Sequence, residues 1–364
     1  MARRRVVLVA AVAVGAGLAQ PWVGDAGSAR AQAGASGASA TEVVETGIRL
    51  RYHVVGATPF RDELVAITSG GELVRSHDGR TWRQAPTTGF TPRPTTRREN
   101  GEGCAGDTVR GMAAGNGLLV AVGGQSVDPE PGDEYCDSRL KVWISDDAAS
   151  WRAVEPVGLE ATDVLDTVVG DASGFLAFGS PRPPRGDGDD EEQGRGLRLW
   201  HSQDGVSWDA VPTEGLSKPD DYAYQSVNSV ATRADGMLAA LAVECLGCFD
   251  DDVVALWRSD GTRAWHEVAA SGLDALDQAN SDIIPAIAAT RDGYFAFASV
   301  GRDHADDRSP TVWHSSDGAR WDGTRLAGPS PSDGAMDAAT AWSGGVVALD
   351  STRGGIVVWR VETR

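Results

Sequence analysis

The chain has 364 residues, with 52 acidic against 33 basic side chains and a formal charge of −19. That balance argues against nucleic acid and anionic membranes as partners and favours basic partners, cations or simple solubility. The length is enough to bury a large core.

Met1 to Arg5 is positively charged, and Val6 to Ala19 is an apolar run of 14 residues. Small residues follow, with Ala31-Gln-Ala33 as a cleavage candidate, so residues 1–33 read as a secretory signal and 34–40 as a flexible linker. The mature chain is then expected outside the cell, with 51 acids and 29 bases. The apolar run is too short to span a bilayer comfortably, and no later segment is long and apolar enough, so no membrane insertion is expected. Four cysteines in an exported chain read as two disulfides. Spacing favours Cys245 with Cys248 and Cys104 with Cys136, although connectivity stays open. A redox role for Cys245-Leu-Gly-Cys248 would need a βαβ setting, and zinc a second close pair.

From residue 41 onward the chain reads as a single repeat domain. One short pattern occurs five times: Ser76-His-Asp78-Gly79-Arg-Thr-Trp82, then 145–151, 202–208, 259–265 and 315–321. The closing Trp recurs at intervals of 69, 57, 57 and 56 residues, a period that signals a repeat architecture. A second Trp series, Trp143, Trp200, Trp257, Trp313 and Trp359, keeps nearly the same step. Each unit reads as four short strands. An Ala/Val-rich strand leads to a tight turn with Gly, such as Asn116-Gly117 or Asp235-Gly236. A buried-type strand follows, such as Leu118 to Val122, then a long polar loop, a third strand at the first Trp, the Ser/Asp/Gly turn and a fourth strand. No helical period is sustained. The chain is therefore expected to be all-β, a six-bladed propeller of four-stranded antiparallel blades, with seven blades as the alternative.

The last unit stops after its third strand. The missing strand is supplied by Glu42 to Ile48, which matches Ala153 to Leu159 in its Val, Gly and apolar positions. The N-terminal strand is thus expected to close the last blade and remove an exposed edge. The longer first interval places an insertion around Thr91 to Asp107.

The five turns resemble the Asp-box (BNR) repeat of the sialidase-like propeller superfamily. Ala148 replaces the Gly in the second copy, Asp260 is shifted one place in the fourth, and each turn is one residue shorter than the usual box. The Asp and Ser side chains suit backbone N–H groups in a tight turn, which makes the box structural. Sialidases of this superfamily imply three arginines, a Tyr–Glu nucleophile pair and an Asp acid/base. No catalytic residue carries over by motif: Phe60-Arg61-Asp62-Glu63 breaks the Phe/Tyr-Arg-Ile-Pro motif, and Arg93, Arg97 and Arg98 share one loop. The candidate nucleophile group is Tyr222 and Tyr224 near Glu214. No nucleophile elbow or helpful His spacing occurs.

In such blades the short turns share one face and the long loops the other, so the working face is expected opposite the boxes. Its loops are acidic and include Glu244, Asp250, Asp251 and Asp252. Asp250 and Asp252 are the candidate Ca²⁺ ligands, without the alternating spacing of a dedicated loop; no other cofactor is expected. Aligning the units on the turn Gly puts Asp166, Asn228 and Asp337 at equivalent positions at the channel mouth. Arg110, Thr167 and Ser229 follow one place later. The resulting expectation is a secreted, monomeric, non-catalytic module that binds a protein or carbohydrate ligand on its acidic loop face. The alternative is a glycoside hydrolase of the sialidase-like superfamily, of exo-sialidase type.

Overall fold

The computed structural model describes residues 38–91, 106–127, 137–181, 197–216, 224–244, 253–260, 264–273, 285–300, 309–327, 336–352 and 354–363. These residues form six separate four-stranded antiparallel sheets. Blade 1 runs β2 (Val54–Phe60), β3 (Glu63–Thr68), β4 (Leu73–Ser76) and β5 (Arg83–Ala85); the N-terminal β1 (Ala38–Glu45) joins blade 6. Blade 2 is β6 (Gly106–Gly115), β7 (Leu118–Val127), β8 (Asp137–Ser145) and β9 (Arg152–Val154). Blade 3 is β10 (Asp163–Asp171), β11 (Gly174–Pro181), β12 (Arg198–Ser202) and β13 (Asp209–Val211). Blade 4 is β14 (Tyr224–Arg233), β15 (Gly236–Glu244), β16 (Val253–Ser259) and β17 (Trp265–Glu267). Blade 5 is β18 (Ala286–Thr290), β19 (Gly293–Val300), β20 (Ser309–Ser315) and β21 (Asp322–Arg325). Blade 6 is β22 (Ala338–Trp342), β23 (Gly345–Thr352), β24 (Gly355–Thr363) and then β1.

The first strands β2, β6, β10, β14, β18 and β22 touch one another in sequence, and β22 returns to β2, so the ring closes with six blades. The apolar interior is divided among the seams. Six clusters each join two adjacent blades, for example Val65, Leu73 and Trp143 between blades 1 and 2. The second strands lie deepest, because both of their faces meet a neighbouring sheet. At one position they all carry a buried alanine: Ala66, Ala121, Ala177, Ala239, Ala296 and Ala348. In blades 2 to 6 that alanine is the register partner of the third-strand Trp, and in blade 1 of Val74. A small residue beside each indole leaves room for its volume in a close-packed seam.

The closing strand pairs as Val43 with Trp359 and Val44 with Val358. Blade 2 pairs Ala153 with Trp143 and Val154 with Val142. Val44 is therefore the counterpart of Val154, one place later than the Val/Gly match implies, because the chain after β1 reaches its glycine one residue sooner. β1 also starts at Ala38, inside the segment read as linker. Glu42 anchors it: the carboxylate pairs with the buried Arg360 of β24 and, at 2.7 Å, with Arg80 of the first box turn. The insertion between Thr91 and Asp107 is cinched at its base, where Asp107 N–H donates to the Thr91 carbonyl at 2.9 Å and Thr91 N–H to the Asp107 carboxylate at 2.7 Å.

Candidate functional site

The box turns are structural fasteners. In the third copy Asp204 Oδ1 accepts the N–H groups of Val206 and Ser207, both at 2.8 Å, and Ser202 Oγ accepts Gly205 N–H at 2.8 Å. Trp208 Nε1 then donates to the Gly205 carbonyl at 3.2 Å. The copies at Ser76, Ser145 and Ser315 repeat this set. Those bonds hold the box carboxylates down: Asp78 and Asp317 fall to about 2, with the N–H groups of Thr81 and Arg320 as the largest causes. Ala148 occupies the left-handed position at φ 64°, where the first, third and fifth copies have Gly79, Gly205 and Gly318. In the fourth copy residues 261–263 lie outside the described residues.

The Phe60–Glu63 turn sits on this same face. Arg61 donates to the Asp146 carbonyl of the second box, and Glu63 pairs with Arg75 at 3.2 Å and Arg83 at 2.6 Å.

At the other end of the channel lies a cavity of about 470 Å³, whose lining includes His53, Arg110, Asp166, Asn228, Ser229 and Asp337. The backbone explains why side chains gather there. β2, β6, β10 and β14 each carry a register shift, at Val55, Arg110, Asp166 and Asn228 respectively. A bulge adds one residue to a strand and re-aims its side chain, a device common at rims and beside sites. Arg110 therefore belongs to the same ring as Asp166 and Asn228, not one place later. The glycine alignment slips in blade 2, because Gly117 lies within the two-residue turn while Gly174 and Gly236 open the next strand.

Each ring residue has a distinct setting. Asp166 Oδ1 lies 3.5 Å from Arg110 Nη1, whereas Oδ2 is enclosed without a hydrogen-bond partner among the described residues. Burial pushes the Asp166 carboxyl up to about 6, with Arg110 opposing. Asp337 is a clamp. Its Oδ2 accepts Val54 N–H of blade 1 at 3.1 Å and Ser351 N–H of blade 6 at 2.8 Å, and burial again raises its pKa. Asn228 is exposed and accepts the Ser226 hydroxyl at 2.9 Å.

Of the buried acids that the sequence reading missed, two stand near the mouth. Asp107 pairs with Lys141 at 3.1 Å, and Asp163 accepts the Glu160 N–H at 2.8 Å, its pKa raised by burial. Both stand three residues before a bulge residue, a spacing visible only once the bulges are known. Among the other candidates, Glu214 is exposed at the seam of blades 3 and 4, where its carbonyl accepts Trp265 N–H at 3.0 Å. Tyr224 and Glu244 are register partners at the start of β14 and the end of β15, and their side chains lie outside the described residues. Tyr222, Asp250, Asp251, Asp252 and the four cysteines Cys104, Cys136, Cys245 and Cys248 also lie outside them.

No protein-family model and no curated protein matches the chain. Solved structures do. The α-L-arabinofuranosidase Arb93A of Fusarium graminearum, an E242A mutant with an iminosugar inhibitor, superposes with a TM-score of 0.53 at 13% identity. The match covers 90% of this chain and 98% of that one. The α-L-arabinanase of Penicillium chrysogenum, solved with arabinobiose, gives 0.53 at 13% identity over 86% of this chain and 92% of that one. At this identity the likeness establishes the propeller fold. It also corrects the expectation of a non-catalytic binding module. The architectures matched over nearly the whole chain are glycoside hydrolases, and among the described residues the channel mouth holds a carboxyl perturbed by burial.

Proposed function

We propose that the chain is a glycoside hydrolase working at the channel mouth on a neutral sugar, with Asp166 as its proton donor. The observation that carries this is the Asp166 carboxyl itself: buried in the wall of a sugar-sized cavity and held at about 6, where it keeps a proton in mildly acidic solution. General acid catalysis of glycosidic cleavage needs a carboxyl in that state. The similar solved structures, which carry arabinobiose or an iminosugar, support arabinose-containing glycosides as the first substrates to test.

The cavity chemistry argues against an acidic sugar. Asp166 and Asp337 both line it, and Arg110, already beside Asp166, is the one Arg or Lys among its described lining residues. Among the described lining residues a substrate carboxylate would face two acids, with His53 and the already engaged Arg110 as the groups able to carry positive charge. Neutral hydroxyls would meet acceptors. We also read the box turns as the Asp-box repeat, since four of the five copies share one set of hydrogen bonds, and the N-terminal segment as an export signal that makes this a secreted hydrolase.

The test is turnover by the purified chain of arabinobiose, linear arabinan and 4-nitrophenyl α-L-arabinofuranoside, beside a fluorogenic sialoside. Release of arabinose or nitrophenol that disappears in Asp166→Asn is expected. Inactivity on every neutral glycoside, or an undiminished rate in the variant, would overturn the reading.

A further inference from the structure

We propose that Arg110 is a positioning residue for Asp166: reaching across from blade 2, its guanidinium holds the Oδ1 edge of the carboxyl at the cavity mouth, so that the two bulge residues work as one unit. The inference rests on the reading of this mouth as a hydrolase site.

The geometry comes from two independent strands. β6 and β10 each place one bulge residue in this contact, and a bulge re-aims the side chain it carries. The 3.5 Å separation is an ion-pair distance longer than a hydrogen bond, so a substrate oxygen can share the Oδ1 side. The surroundings leave Arg110 alone in this task. β6 also brings Asp107, but that carboxylate is engaged with Lys141 of β8 at 3.1 Å. β10 itself brings Asp163, whose electrostatic neighbours are Glu160 and Arg198. From β14 the side chain in the ring is the neutral Asn228, and the other titratable groups lining the mouth among the described residues are His53 and Asp337, the latter hydrogen-bonded to the Val54 and Ser351 N–H groups. Among the described residues Arg110 is the one charge that reaches the Asp166 carboxyl.

Desolvation and Arg110 act on the carboxyl in opposite directions, so removing the guanidinium leaves burial unopposed and the proton is held to higher pH. A residue that merely filled space would leave the titration where it was.

The experiment is a ¹³C NMR titration of the side-chain carboxyls in the full chain, with Asp166 assigned by its loss in Asp166→Asn. The wild-type midpoint is expected near 6. Arg110→Met should move it upward by about one pH unit, and Arg110→Lys should return it most of the way. Under the hydrolase reading the alkaline limb of kcat should shift in the same order. An Asp166 midpoint unchanged in Arg110→Met, with the thermal midpoint of the variant near wild type, would overturn the proposal. If Arg110→Met fails to fold, the smaller displacement in Arg110→Lys decides the matter. The titration needs no turnover. A shift without hydrolysis removes the proposed function and keeps the pair, whereas hydrolysis dependent on Asp166 without a shift does the reverse.

Discussion

Gly158 lies so close to Trp208 of the following blade that a Cβ at Gly158 would stand 1.9 Å from the Trp208 carbonyl oxygen. Val157 and Trp208 lock the same spot with two backbone hydrogen bonds, Val157 N–H to Val206 at 2.9 Å and Trp208 N–H to Val157 at 2.8 Å. Gly89, Gly215 and Gly272 meet Trp151, Trp265 and Trp321 in the same way. The glycine that follows the outer strand of blades 1 to 4 is thus a seam residue, whereas Gly47 after β1 has open space around it. Gly158→Ala should destabilise the chain by about 2–4 kcal/mol, through both the clash and a φ of +88°. Gly117→Ala, with open space around it and only its positive φ to strain, should cost about 1–2 kcal/mol. Urea unfolding of both variants checks the ordering, and equal midpoints would contradict it.

Removing one box carboxylate tests the fastener role. Asp204→Ala strips acceptors from two N–H groups and from the Ser202 hydroxyl, 3.1 Å away. The turn is partly exposed, so water recovers some of the loss, and about 1–2 kcal/mol is expected. Any hydrolase rate should be untouched at temperatures well below the transition. A collapse of activity in a chain that is still folded would give the boxes a role in the chemistry.

The boxes also set the acid limit. Their folded pKa values, about 2 for Asp78 and Asp317, are depressed below the ordinary 3.8. A depressed carboxylate contributes stability that is complete above its unfolded value and lost as pH falls through the folded one. Stability should therefore decline between pH 4 and pH 2. Thermal midpoints across that window should fall less steeply in a chain carrying Asp78→Asn and Asp317→Asn.

Asp166 has the opposite sign. Its folded pKa, about 6, exceeds the ordinary 3.8, so the ionised group costs stability above pH 6 and the penalty fades as pH falls. A displacement of that size corresponds to about 1–3 kcal/mol at pH 7. Asp166→Asn should raise the thermal midpoint at pH 7 and do little at pH 4, while removing turnover. Destabilisation at pH 7 would show that the carboxylate holds the mouth together and is not strained within it.

Deleting residues 38–48 should expose β24, whose Val357, Val358, Trp359 and Val361 are buried. It also strands Arg360 without Glu42. A lower unfolding midpoint and concentration-dependent association are expected in light scattering. A monomeric chain with wild-type stability would mean that β1 contributes nothing to closure.

Much of the fold was legible because each blade repeats the same solution. The Trp period located the third and fourth strands, and the truncated last unit pointed to Glu42–Ile48 as its completion. Register was not legible to one residue, since Val43 and Val44 are interchangeable to the eye and only pairing with Trp359 separates them. The mouth was half legible. Asp166, Asn228 and Asp337 emerged from alignment, but a bulge leaves no mark in composition, and Arg110 slipped one place because Gly117 does a different job from Gly174. Function was the least legible, for burial of a single carboxyl is a property of packing and not of any motif. An abundance of acids on loops drew attention to the rim, and composition gives no sign that burial perturbs Asp163, Asp166 and Asp337 instead.

Thr46 and Ile356 are joined by a hydrogen bond across 310 residues of chain. The strand made first can find its partner only when the last strand exists, so the ring cannot close as the polypeptide emerges. Blades 1 to 5 can pair their own strands locally in order of synthesis, while β1 waits with an unpaired edge. Closure is then a single late event of very high sequence separation, the kind that folds slowly because the entropy of a long loop is lost before any contact compensates. A helper that shields β1 during that interval would guard its unpaired edge against association with other chains.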